Sequence, residues 1–150
     1  MDRPEFAVAV NLALIDADQR LLFHRRANTG YCDGQLALLG GHVEKSESSV
    51  QACVRELHEE GSLLLNASRF FFDRLMHKLD IDGENRFDIF FKVHISDAEK
   101  SAIKIGEPHK CSELIWLNSE ESSHHNIVPY VETYVQSKKD PYSGLMLFGF

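Results

Sequence analysis

Apolar residues alternate with others from the first residues of the chain. In EFAVAVNLALID (5–16), Val8, Val10, Leu12 and Leu14 fall on one face, the period-two signature of a half-buried strand. The polar DADQR turns the chain into a second strand candidate, LLFHRR (21–26). The loop ANTGYCDG follows, then QLALLGG (35–41), read as one short apolar strand ending on a glycine pair. At Ser48 the period changes. Ser48 and Gln51 are spaced as a capping box, which starts a helix by satisfying two backbone donors. Within that helix Val50, Cys53, Val54, Leu57 and Gly61 occupy about a third of the circumference at ~100° per residue. That stripe is the expected packing face.

Two β-rich runs come next, RFFFDRLMHKL (69–79) and NRFDIFFKVHI (85–95), joined by an Asp-Gly turn. In the second run Phe87, Ile89, Phe91, Val93 and Ile95 alternate onto one side. CSELIWLN (111–118) reads as another strand and NSEESSHHN as a polar loop. IVPYVETYVQSKK (127–139) reads as a helix with Pro129 in its first turn. The apolar tail SGLMLFGF is expected to dock on the body or to serve a homodimer interface. Strands interleaved with two helices indicate a mixed α/β domain.

Composition narrows the partners. With 150 residues, one domain with a proper core is expected. The net charge of −7 argues against general affinity for a nucleic acid polymer or an anionic membrane. A phosphate-bearing ligand must then be met by a local basic patch or by metal ions. Cys32, Cys53 and Cys111 show neither CxxC pairing nor zinc-ligand spacing, so a reducing, cytoplasmic setting is expected. The N-terminal apolar run is broken by Asn11 and reads as a strand, not as a signal peptide or membrane span.

The helix ends on RELHEEGS (55–62), which breaks two local rules. Glu56, Glu59 and Glu60 stand at i, i+3 and i+4 and repel one another. They also approach the C-terminal end of the helix, where the backbone dipole disfavours carboxylates by roughly 0.3–1 kcal/mol each. Conflicts of this kind concentrate at functional sites, and a bound cation is the natural compensation. Magnesium, a hard cation, takes oxygen ligands and shares them with substrate phosphates.

Read outward from the acidic triplet, the stretch is GGHVEKSESSVQACVRELHEEGSLL. From Gly41 to Leu63 it resembles the Nudix box, G-x5-E-x7-R-E-U-x-E-E-x-G-U, with Gly41, Glu47, Arg55, Glu56, Leu57, Glu59, Glu60 and Leu63 in register. The flanks FHRRANTGYCDGQ and GEPHKCSELIWL are similar to segments of a MutT-like subgroup, and the resemblance runs from about residue 6 to residue 132. It implies a Nudix-type α/β/α sandwich with a mixed β-sheet and a loop-helix-loop motif. It also implies Mg2+, with Mn2+ as a substitute, held by Glu56, Glu59, Glu60 and the Gly40 carbonyl, with Glu44 nearby. By the same resemblance Glu47 and Arg55 brace the loops, and Glu56 or Glu107 serves as general base. Arg25, Arg26 and Lys110 are candidate phosphate contacts in an otherwise acidic chain. The implied activity is hydrolysis of a phosphoanhydride in a nucleoside diphosphate linked to another group, as in a nucleoside triphosphate or a nucleotide sugar.

Departures from the pattern matter as well. Ser46 and Ser62 stand where the family has glycine, Leu39 where proline precedes the glycine pair, and Leu36 where tryptophan is usual. Gly61 is expected to supply the flexible cap that Ser62 cannot. The serines favour one rival reading, a catalytically weak Nudix domain that binds a nucleotide as a sensor or partner module. An isoprenoid diphosphate isomerase of the same superfold is a further alternative, lacking a clear accessory signature here. Eight histidines, His58, His124 and His125 among them, show no HExxH or comparable spacing and read as solvated.

Overall fold

The computed structural model describes residues 2–140 and 144–150. Its strands are β1 (Ala7–Ile15), β2 (Leu21–Arg26), β3 (Leu36–Ala37), β4 (Leu39–His42), β5 (Phe71–Leu79), β6 (Asn85–His94), β7 (Cys111–Leu117) and β8 (Leu145–Phe148). The helices are α1 (Ser49–Gly61), α2 (Asp97–Ala102), α3 (Ser119–Ser122) and α4 (Pro129–Ser137).

β1 organises the sheet. It runs parallel to β6 over its whole length, from Ala7 opposite Arg86 to Ile15 opposite His94. On its other side it forks: β4 pairs antiparallel along Ala9–Leu12, whereas β2 meets β1 only at Ile15–Leu21 before pairing with β3 and β7. QLALLGG is therefore not one strand. Leu36 and Ala37 belong to β2's arm, Leu39 to His42 belong to β1's, and the chain crosses the fork at Leu38.

Each face of the sheet carries its own core. On one face Leu57, Cys53 and Ala52 of α1 pack on Val10, Leu12, Leu14, Phe91 and Val93. On the other, Val131 and Tyr134 of α4 pack on Ala13, Phe23, Met76 and Phe90, with Tyr134 stacked on Phe90 at 4.1 Å between centroids. This is the mixed α/β architecture that the strand and helix pattern indicates, in the sandwich arrangement that the resemblance implies. Leu57 is wholly buried, and its truncation to alanine would cost roughly 2–5 kcal/mol.

Further details extend or correct the sequence reading. Ser96 and Glu99 form a second capping box that starts α2, and the polar run at 118–126 contains the short α3. The tail pairs parallel to β5, from Leu75 opposite Leu145 to Lys78 opposite Phe148. Gly61 does not cap α1. Ser62 itself takes the left-handed conformation, φ 57° and ψ 24°, and its N–H reaches the His58 carbonyl.

Candidate active site

The glycine pair and α1 meet without room for a side chain. A Cβ on Gly40 would lie 2.0 Å from the Val10 carbonyl oxygen of the neighbouring strand, and one on Gly41 would lie 2.2 Å from Glu56 Oε1. β4 can therefore press against β1 and the acidic face of α1 together. The Gly40 N–H donates to Glu60 Oε2 at 2.9 Å, so the glycine reaches the acidic face through its amide. The end of α1 is covered from the far side. The N–H groups of Lys104 and Gly106 donate to the carbonyls of Gly61 and Glu60, each at 3.0 Å. Gly106 has to be glycine for this, because its Cβ would fall 1.9 Å from the Glu59 carbonyl oxygen. These bonds satisfy orphan helix-end carbonyls and carry Glu107 to the site.

Arg55 is the hub of the acidic turn. It holds Glu47 bidentately, Nε to Oε2 at 2.8 Å and Nη2 to Oε1 at 2.9 Å, and Nη2 also donates to the His42 carbonyl at 3.0 Å. Its Nη1 donates to Glu56 Oε1 at 2.8 Å and to Glu59 Oε2 at 3.3 Å, and lies 3.7 Å from Glu44. The Arg55 contact holds the Glu47 carboxyl far below the usual range, at about 2. The helix, the glycine strand and the turn before the helix are thus pinned by one guanidinium. In that turn the Glu47 N–H donates to the Glu44 carbonyl at 3.1 Å, and Ser46 takes φ 66°, the left-handed conformation that glycine adopts without cost.

The three helix glutamates differ from one another. Glu59 is exposed, whereas Glu56 is only 7% exposed. Burial raises the Glu56 carboxyl against the pull of Arg55, and repulsion from Glu59 and Glu107 adds to it. Burial lifts Glu60 further, to about 8; the Gly40 amide opposes this while Glu56 and Glu107 reinforce it. Glu60, Glu107, Lys110, His24, Leu39 and Cys111 line a cavity of about 20 Å³, room for one water-sized body. Burial also keeps the His24 imidazole neutral, with its pKa lowered to about 4. Crowded carboxylates with raised pKa values cannot all hold their charge unaided. The carboxylate oxygens of Glu56, Glu59 and Glu60 are hard donors, the ligand chemistry that a divalent cation takes.

The site opens into a cleft of about 1050 Å³ that runs from Gly40, Gly41 and Glu60 to the β5–β6 turn. Its floor is polar. Asn11 donates to Asp88 at 3.1 Å and accepts from the Tyr130 hydroxyl at 3.2 Å. Asp88, wholly buried, faces Arg86 at 3.2 Å and Lys78 at 3.8 Å, while the Lys78 ammonium sits 3.9 Å over the Tyr130 ring. The sequence reading missed these residues; the only local signal was Asn11 interrupting an apolar strand. Of the candidate phosphate contacts, Arg26 lines this cleft and Lys110 stands beside Glu107 at 3.4 Å. Arg25 is not brought in. Its guanidinium is engaged by Glu113 at 2.8 Å and by the Gly34 carbonyl at 2.9 Å.

The family model of the NUDIX domain matches residues 5–136. The chain belongs to the NUDIX family. Its likeness to the CTP pyrophosphohydrolase of Escherichia coli (strain K12) is 26% identity over 122 residues, 81% of this chain and 84% of that protein. The fold is similar to a MutT NUDIX hydrolase from Burkholderia pseudomallei, with a TM-score of 0.75 at 21% identity over 89% of this chain and 98% of that one. It also resembles a bifunctional NMN adenylyltransferase/ADP ribose pyrophosphatase from Francisella tularensis complexed with AMP and a Mn ion. There the TM-score is 0.69 at 19% identity, over 91% of this chain and 42% of that one. The likenesses are thus to proteins named as a MutT NUDIX hydrolase and as a pyrophosphohydrolase. No helix among the described residues is long and apolar enough to cross a membrane.

Proposed function

We propose that residues 1–150 act as one Nudix domain, a Mg2+-dependent hydrolase that cleaves a phosphoanhydride in a nucleoside diphosphate linked to another group. A nucleoside triphosphate or a nucleotide sugar is the substrate type, Mn2+ can replace Mg2+, and the setting is cytoplasmic. The observation that carries the reading is the half-buried Glu60 carboxyl, which accepts from the Gly40 amide and is pushed up to about 8 beside Glu56 and Glu107, at the end of a nucleotide-sized cleft. The similarity to a CTP pyrophosphohydrolase, and to a fold crystallised with AMP and a Mn ion, supports it.

Glu56, Glu59, Glu60 and the Gly40 carbonyl would hold the metal, with Glu44 at its edge. When bound, Mg2+ supplies charge neutralisation for the pyrophosphate and acidifies a water. The chain's own groups do the rest. Glu56, its carboxyl raised above the ordinary carboxylate value by burial, or Glu107 in the covering loop takes a proton from the attacking water. The water oxygen bonds to phosphorus, the bridging P–O bond breaks, and the leaving phosphate departs with the bond electrons. Lys110 and Arg26 offset phosphate charge. Asn11, Asp88 and Tyr130 give the nucleoside end a fixed polar floor, because each is already held by the other two or by a neighbouring cation.

The weak-binder alternative draws on one observation, the left-handed backbone at Ser46 and Ser62 on either side of the acidic helix. Product release from a panel of nucleoside triphosphates, ADP-ribose and nucleotide sugars, with and without Mg2+, separates the two. Metal-dependent turnover of one class, abolished by Glu59→Gln with Glu60→Gln, is expected. Tight nucleotide binding by the folded protein without any turnover would favour the binding module.

A further inference from the structure

Beyond α1 no helix among the described residues covers the sheet face that it packs on. The alternation that buries Phe91 under the helix continues to Ile89 and Phe87 on β6, then across to Leu75 and His77 on β5 and to Leu145 and Leu147 on β8. No charged residue stands at these positions. Leu145 and Leu147 are 56% and 62% exposed, and the terminal Phe150 is 66% exposed although its ring lies 4.7 Å from His77. Phe6 closes the cluster, 5.6 Å from Phe87 and 6.2 Å from His77. Phe72, opposite Phe91, extends the same face and is 58% exposed.

We propose that this face, centred on β8, is the interface of a homodimer. Three observations favour a second copy as the occupant. First, the exposed parts of Phe6, Phe72, Leu145, Leu147 and Phe150 amount to roughly 600 Å², the upper end of what a monomer leaves bare and near the ~800 Å² per partner of a stable interface. Second, β8 is the end strand of the sheet among the described residues. A two-fold axis beside it sets the aromatic and leucine patch against its own copy, which is the self-complementary contact that an isologous dimer requires. Third, two copies of a chain carrying −7 repel each other over most of their surface, and this face presents no Asp, Glu, Lys or Arg side chain at the positions named. The hydrolase reading plays no part in this inference.

Sedimentation equilibrium of the full chain, from nanomolar to high-micromolar protein, tests it. The wild type is expected at twice 17.1 kDa. Leu147→Asp should raise the dissociation constant by at least ~30-fold, the effect of losing one hot spot. Ile81→Asp, at an exposed apolar residue of the β5–β6 turn away from this face, should leave it unchanged. Phe150→Asp, at the last residue, serves as the second variant should Leu147→Asp misfold. A wild type that stays monomeric throughout, or a dimer that tolerates both patch substitutions with an unaltered circular dichroism spectrum, overturns the proposal.

Discussion

Replacing Arg55 by alanine tests whether one guanidinium integrates the acidic turn. The side chain is 22% exposed, and its Nη1 is a 2.8 Å partner to a Glu56 carboxylate whose side chain is only 9% exposed. Removing one member of a buried pair leaves an uncompensated charge, which costs about 3–5 kcal/mol when both members are fully buried. Arg55 touches water, so the expected loss lies at or just below that range, about 2–3 kcal/mol. For a chain of this size each kcal/mol moves Tm by about 2–4 °C, which predicts a drop on the order of 4–12 °C. The bonds to Glu47 and to the His42 carbonyl disappear too, so the turn before α1 should loosen with the helix. Urea unfolding of the metal-free protein, followed by tryptophan fluorescence and circular dichroism, measures the loss. Lysine in place of arginine should recover little, since a point charge cannot reach Glu47 bidentately and Glu56 at once. The loss should also shrink at acid pH, where Glu56 neutralises itself. A loss below about 0.5 kcal/mol for Arg55→Ala, the size of an ordinary surface effect, would refute the reasoning.

Two further outcomes are expected. Ser46→Gly and Ser62→Gly should each stabilise the protein by about 0.5–1 kcal/mol, because both serines hold a left-handed backbone that glycine adopts without strain; unchanged urea midpoints would contradict this. His24, with a folded pKa of about 4 against 6.5 unfolded, binds its proton more readily in the unfolded chain, so its contribution is present above pH 6.5 and is lost as pH falls toward 4. That loss is about 3 kcal/mol. Glu60, raised to about 8 in the metal-free protein, acts in the opposite sense, favouring the fold as pH falls from 8 toward 4.5. The difference between wild type and His24→Gln therefore isolates the histidine, and pH-independent difference data would contradict its burial as a neutral group.

Much of the architecture can be read from the sequence because it is locally periodic. The alternation in β1 and β6, the Ser48–Gln51 capping box and the Asp-Gly turn each specify their element within a few residues. What could not be read depends on distant partners. QLALLGG has the composition of one strand, and only the fork between β1 and β2 divides it at Leu38. The bulge between Phe72 and Arg74 turns Asp73 toward the Tyr134 hydroxyl and Lys138, a contact that no local pattern announces. The Ser96–Glu99 capping box of α2, by contrast, is a local signal. At the site the contrast is similar. Glu47, Arg55, Glu56, Glu59 and Glu60 lie in one short segment that runs from the turn before α1 to its last turn, so their spacing exposes them. Asn11, Asp88 and Tyr130 come from three separate elements, 77 and 119 residues apart for the two Asn11 contacts, and meet only in the folded chain. Arg25 and Arg26 are neighbours in sequence, yet the strand pleat and Glu113 send one of them away from the cleft.

The central claim is that the repelling carboxylates at the end of α1 form a divalent-metal site, and Mn2+ titration followed by electron paramagnetic resonance addresses it without any assumption about substrate. At neutral pH the wild type should bind Mn2+ and be displaced by excess Mg2+, whereas the Glu59→Gln, Glu60→Gln double variant should bind neither ion appreciably while keeping its circular dichroism spectrum. Equal Mn2+ binding by the folded double variant would place the metal elsewhere and contradict the account.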